Sequence, residues 1–180
     1  MKLPLFPVEG GCECGAVRYR LTAAPLTVYN CHCRDCQRMT GSSHAMSMPM
    51  LHETLVHLAG DLVGWDRRGD SGRVVRHVRC AKCFTNVWNE PLASPALRIG
   101  KPGTLDDMSW AVPIGNIWTG SRVPWIEIDR TMVNFTGSRR TASRSTMPGR
   151  GRPRPEGSDC QIFHAHGEAD RVRSARRILA

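Results

Sequence analysis

The chain has 180 residues, 41% of them hydrophobic and 23% charged, with a formal net charge of +9. This length predicts one domain with a sizeable core, and the balance of residues excludes a wholly disordered chain. No apolar run approaches the ~20 residues that cross a bilayer, and the N-terminal segment, broken by Pro4, Pro7 and Glu9, lacks the form of a secretory signal, so a cytoplasmic location and no membrane partner are expected.

In chain order, the first cluster of interest is Cys12 and Cys14 in GGCECG. GAVRYRLT follows and alternates, with Val17, Tyr19 and Leu21 on one side and Arg18 and Arg20 on the other, which predicts a half-buried strand. LTVYN reads as a second strand leading into Cys31, Cys33 and Cys36 of NCHCRDC. SHAMSMPM places His44, Met46, Met48 and Met50 on one face, more as core than as cofactor contact. TLVHL, the turn pair Gly60–Asp61 and LVGWDRR predict a hairpin. GRVVRHVR delivers the chain to Cys80 and Cys83 in RCAKC. TNVWNE, ALRIG, PIGNIW and PWIEID complete the strands, the last two as late core strands carrying Trp118, Trp125, Ile126 and Ile128. No stretch of the first 135 or so residues keeps a helical period for three turns, so the expectation is an all-β fold.

Residues 139–180 have a different composition. They hold ten arginines, no lysine and four acids, which leaves +6 in this segment and only +3 in residues 1–138. Rich in Arg, Ser, Pro and Gly, the segment predicts a disordered basic tail, with nucleic acid as a weak candidate partner. The expected division is therefore a zinc-binding domain over 1–138 and a low-complexity tail over 139–180. Cys160, inside the tail, reads as an unpaired thiol, and His164 and His166 as a weak metal signal.

Seven of the eight cysteines fall in the three clusters. In a reducing compartment such spacing favours metal or catalysis over disulfides. Cys12/Cys14 with Cys80/Cys83 supply four thiolates, a closed and therefore structural zinc set that would pin an early strand to a later one. Cys31, Cys33 and Cys36 supply three, which leaves a fourth position for water, a substrate thiol or a distant side chain such as His44 or His77. His32, between two of these cysteines, should project away from them. The competing readings of the triplet are a second structural site completed by another ligand, and metal-free thiols in a redox or storage role.

GGCECGAVRYRL, NCHCRDCQRMTGS, RCAKC, GTLDD and NIWTGSRVPW together resemble the glutathione-dependent formaldehyde-activating enzyme family, also called the centromere protein V/GFA domain family, over roughly residues 9–135. The resemblance implies a β-tent of small antiparallel sheets and two zinc sites. One is structural on Cys12, Cys14, Cys80 and Cys83; the other is the working metal on Cys31, Cys33 and Cys36. It also implies a carbon–sulfur lyase that joins glutathione to formaldehyde. His44, close after the triplet, and Arg38 are read from their positions as candidate pocket groups. The chain departs from the family pattern at Phe84, where a glycine is usual, at Asn116, where histidine is frequent, and at Gln37, where arginine is frequent. The alternative function is a non-catalytic, zinc-stabilised module that engages protein or nucleic acid.

Overall fold

The computed structural model describes residues 3–69 and 72–137. The readings made for Cys160, His164, His166 and the tail lie outside the described residues. The elements are β1 (Val8–Gly11), β2 (Arg18–Leu21), β3 (Tyr29–Cys31), α1 (Arg34–Thr40), β4 (Ala45–Leu51), β5 (Leu55–Ala59), β6 (Leu62–Arg68), β7 (Val74–Cys80), β8 (Asn86–Pro91), β9 (Leu97–Gly100), β10 (Gly115–Ile117) and β11 (Val133–Asn134). The fold is mostly β, as expected. A three-stranded sheet runs β1-β2-β5 and a longer one runs β11-β10-β3-β4-β9-β8-β7-β6. Every pairing is antiparallel except those of β10 with β3 and with β11.

Alternation in β2 does what the sequence predicts. Val17, Tyr19 and Leu21 are fully buried, while Arg18 and Arg20 reach Glu9 of β1, and Arg18 also reaches Asp106. Trp88 packs edge-on against Tyr19, and Met48, Met50, Leu55 and Val87 fill the space around them. Each such side chain removed from water contributes about 2 kcal/mol to the gross hydrophobic term. The methionine face of β4 is core, as read from the sequence, with Met48 and Met50 buried.

Two strand readings are corrected. TLVHL and LVGWDRR do not pair with each other; β5 joins β2 and β6 joins β7, in different sheets. Gly60 makes the corner between them at φ +87, where a Cβ would stand 2.2 Å from the Ala16 carbonyl oxygen. Turn chemistry marks the bend, and burial of Leu55 beside Leu21 decides the partner. PWIEID is not a strand, and Trp125 is 72% exposed. The segment carries its apolar residues across a surface turn, which local composition does not separate from a short edge strand.

The GTLDD motif is a brace. Thr104 Oγ1 meets the Tyr19 hydroxyl at 2.7 Å, Leu105 is buried and bridges Gly10, and the Asp106 carboxylate receives Arg18. Gly10 is required there, since a Cβ would lie 2.4 Å from the Thr104 carbonyl oxygen.

Candidate metal centres

The first cluster forms where the turn after β1 meets the end of β7. Cys80 is the last residue of β7, and Cys12, Cys14 and Cys83 lie in turns. The four sulfurs lie within 4.8 Å of one another, with Cys12–Cys14 at 3.4 Å and Cys14–Cys80 at 3.9 Å. Backbone N–H groups point at the sulfurs: Val17 donates to Cys12 Sγ at 3.2 Å and Lys82 to Cys80 Sγ at 3.3 Å. The Thr85 hydroxyl, 3.1 Å from Cys83 Sγ, and its backbone N–H pull the Cys83 thiol down to about 5. Donors aimed at sulfur favour the thiolate, which is the form that binds a metal. Four convergent thiols with such partners suit zinc in a closed tetrahedral site.

The second cluster sits at a strand-to-helix junction. Cys31 ends β3 between β4 and β10 in register with Ala45 and Ile117. Cys33 is the N-cap of α1, its sulfur accepting from the Cys36 N–H at 3.4 Å. One helical turn therefore carries Cys36 back over Cys33, and the three sulfurs fall within 4.8 Å of one another. Hydrogen bonds from Cys31 and Cys36 pull Cys33 toward the thiolate, while Cys33, Cys36 and burial push the Cys31 thiol up. Three thiolates at one point repel, and a divalent cation removes the conflict. This donor set can hold a metal ion and is consistent with zinc, a soft thiolate set being one that zinc accepts.

Among the described residues no histidine, aspartate or glutamate joins the three sulfurs within that distance, so neither His44 nor His77 completes the set. His32 projects away, as expected. It is buried, and its Nε2 donates to Asn116 Oδ1 at 3.0 Å. His44 lies beside it, ring centroids 5.1 Å apart, with Nδ1 on the Ser43 hydroxyl at 2.9 Å. Burial and the neighbouring His32 lower the His44 pKa.

The departures from the family pattern have structural consequences. Asn116 is no pocket group. It is 4% exposed, accepts from Asn30 and His32, and donates to Asn134 at 2.9 Å, so it ties β10 to β3 and β11. Gln37 is buried and donates to the carbonyls of His32 at 2.7 Å and Ser121 at 2.9 Å, holding α1 on the loop after β10. Phe84 occupies the left-handed region at φ +60, a conformation glycine adopts without cost. Arg38 is exposed and borders an open hollow of about 560 Å³ with Arg34, Ser43, Val123 and Trp125.

Sequence reading gave no role to Lys101 or Tyr29, and mentioned His77 only as a distant ligand. The field of all three triplet sulfurs reaches the Lys101 ammonium, whose pKa burial lowers. Tyr29 begins the strand that ends in Cys31, and burial with the same sulfurs raises its phenol. A lysine before a turn and a tyrosine in a strand are too common to stand out in the chain itself.

The family described as "Glutathione-dependent formaldehyde-activating enzyme" matches residues 7–121. A crystal structure of a Rhodobacter sphaeroides protein is similar over 71% of this chain and 98% of that one, at 16% identity and a TM-score of 0.44. No curated protein matches the chain.

Proposed function

The chain belongs to the glutathione-dependent formaldehyde-activating enzyme family, and from that premise we propose that it is a zinc-dependent carbon–sulfur lyase acting on a thiol, glutathione or a close relative, and an aldehyde such as formaldehyde. The single observation that carries this reading is the triplet: three thiols gathered within 4.8 Å, with no fourth donor joining them among the described residues. A closed set can hold a fold together; three ligands leave a coordination position for an incoming thiol.

Cys31, Cys33 and Cys36 would hold the working zinc, and Cys12, Cys14, Cys80 and Cys83 the structural one. When bound, the working ion would supply a Lewis acid that lowers the pKa of a neighbouring thiol. The reaction is an addition. A sulfur–carbon bond forms, the carbonyl π bond opens, and the proton lost by the thiol ends on the new hydroxyl oxygen. The chain's own part is to fix the geometry. The N-cap at Cys33 and the Gln37 bonds hold α1 in place, and buried Cys31 and His32 keep water from the inner side. Lys101 lies buried within the field of the three sulfurs, whose negative charge would favour its charged form against the effect of burial. Positioning two small reactants side by side supplies much of such a rate enhancement.

In this reading residues 1–138 carry the chemistry in the cytoplasm, and residues 139–180 are an appended segment not needed for it. The test is NMR observation of S-(hydroxymethyl)glutathione formation from formaldehyde and glutathione with zinc-loaded protein. Acceleration that disappears in Cys33→Ser supports the proposal. No acceleration by the intact protein, at two zinc ions per chain, refutes the formaldehyde reaction and leaves the zinc-stabilised binding module as the better account.

A further inference from the structure

The long sheet ends on a strand that nothing covers. β6 has β7 on one side and no neighbour on the other among the described residues. The register fixes which of its backbone groups are spare. The Ala81 N–H donates to the Asp61 carbonyl and the Gly69 N–H to that of Arg73, so the odd-numbered residues of β6 turn their N–H and C=O toward β7. The N–H and C=O groups of Leu62, Gly64, Asp66 and Arg68 therefore point outward along the free edge, and none of them meets a partner among the described residues.

Proteins usually blunt such an edge with a short strand, a bulge, a proline or an outward charge. The other edges are managed: β11 is two residues long, β5 meets β2 with a register shift, and β1 is flanked by the Gly10–Leu105 bridge. β6 runs seven residues without proline, and its ladder with β7 keeps one register from Leu62–Cys80 to Arg68–Val74. Its three charged side chains are turned back into their own molecule: Asp66 to Arg76, Arg67 to Asp35, and Arg68 to the Gly72 carbonyl. What is left at the edge is apolar, with Val63 40% and Trp65 52% exposed on one face.

The strand that fits this edge is β6 itself. The four outward residues lie symmetrically about Trp65. A two-fold axis through Trp65, normal to the sheet, sets Leu62 against Arg68 of a second copy and Gly64 against its Asp66, so every spare N–H and C=O finds a partner. Val63 then faces Arg67 of the second copy, and no two like charges stand directly opposite. Gly64 has no side chain to obstruct the Asp66–Arg76 pair brought in beside it. Trp65 meets Trp65 in the non-hydrogen-bonded position, where Cα atoms are about 4.5 Å apart and side chains are closest. Sliding the second strand by two residues in one direction puts Asp66 against Asp66, and in the other leaves Arg68 facing Gly60, beyond the strand end. We propose that the protein is a two-fold dimer in which two β6 strands pair antiparallel about Trp65 and join the two long sheets into one. Such an axis preserves the faces of the sheet, and Arg67 holds Asp35 of α1, so the two triplet centres lie on the same side of the dimer. The dimer does not depend on the chemistry proposed above.

Sedimentation velocity of the zinc-loaded full chain, from micromolar to submillimolar protein, should show a dimer. Gly64→Pro removes an outward N–H that the monomer leaves unused, so it should keep the fold and lose the dimer. Trp65→Lys, which removes the aromatic pair and sets two ammonium groups face to face, should weaken association about tenfold or more. Val56→Lys, on the exposed face of β5, should leave it unchanged. Zinc content and circular dichroism check that each variant is folded, and Trp65→Lys decides if Gly64→Pro is not. In a Cys160→Ser background, mild oxidation should cross-link Trp65→Cys to itself, since facing Cα atoms stand within disulfide reach. It should cross-link Val63→Cys to Arg67→Cys in a mixture, but neither one alone. A wild-type monomer over the whole concentration range, a dimer that survives both edge substitutions, or Val63→Cys that links to itself while Trp65→Cys does not would overturn the pairing.

Discussion

The two cysteine clusters are built from the same side chain and differ in everything around it. Cys12, Cys14, Cys80 and Cys83 come from chain segments far apart and meet at turns, with Cys14 exposed to solvent. Cys31, Cys33 and Cys36 come from six consecutive residues at a strand–helix junction, with basic residues of the long sheet alongside. Long-range convergence of four ligands closes a chain loop and contributes to folding; local convergence of three costs little chain entropy and adds little to stability. In the proposed reading, ligand count and sequence separation together are what would separate a staple from a working centre.

The sharpest break of this contrast is a pair of single substitutions. Cys80→Ser should unfold the domain or lower its stability by several kcal/mol, since structural zinc in small sites contributes on the order of 10 kcal/mol. Cys33→Ser should lose one zinc ion of two and all aldehyde addition, yet melt within a few degrees of wild type. Zinc analysis with thermal melts decides it; equal destabilisation by the two substitutions would erase the distinction between the clusters.

Next in size is Asn116→Leu. The substitution removes the acceptor of buried His32 and half-buried Asn30 and a donor to exposed Asn134, and should cost about 1–3 kcal/mol by denaturant unfolding. Zinc content at both clusters should stay at the wild-type value, because Asn116 supports the triplet strand through β10 and not through the sulfurs. Loss of zinc from the triplet in this variant would make Asn116 part of the metal centre.

A smaller effect concerns acid. Burial, followed by the charges of Lys101, Arg67 and Arg79, lowers the His77 pKa from 6.5 to about 4. A histidine depressed in the folded state stays neutral there while the unfolded chain takes up a proton. Its contribution is therefore full above pH 6.5 and is lost as pH falls through 4. Stability of His77→Gln should fall less steeply than wild type between pH 6.5 and 4. Parallel slopes would show that His77 titrates as a free imidazole.

How much of this was legible in the chain follows the same division. Cysteine spacing and the period-two pattern of β2 are local signals, and both clusters and the strand form as read. The helix α1 spans Arg34–Thr40, too short for its period to register, and is fixed by the Cys33 cap. The parallel pairing of β10 with β3, the sheet change at Gly60 and the burial of Lys101 in the field of the triplet sulfurs are tertiary. They depend on which distant segment arrives, and nothing within a few residues of Asn116, Gly60 or Lys101 announces it.

The smallest effect tests the turn that presents Cys83. Phe84 holds φ +60 with its ring 61% exposed, so it bears backbone strain with little burial in return. A left-handed residue with a Cβ costs about 1–2 kcal/mol, and glycine escapes this while making the unfolded chain looser by about 0.4–1 kcal/mol. The balance favours Phe84→Gly by roughly 0.5–1 kcal/mol, which is a rise of about 2–4 °C in Tm for a domain of this size. The Phe84 N–H already donates to the Cys80 carbonyl at 3.0 Å, so the glycine keeps the turn and the Cys83 sulfur stays in place. A fall in Tm would mean that the exposed ring covers something the described residues do not show, and the staple would then be more than a knot of sulfur.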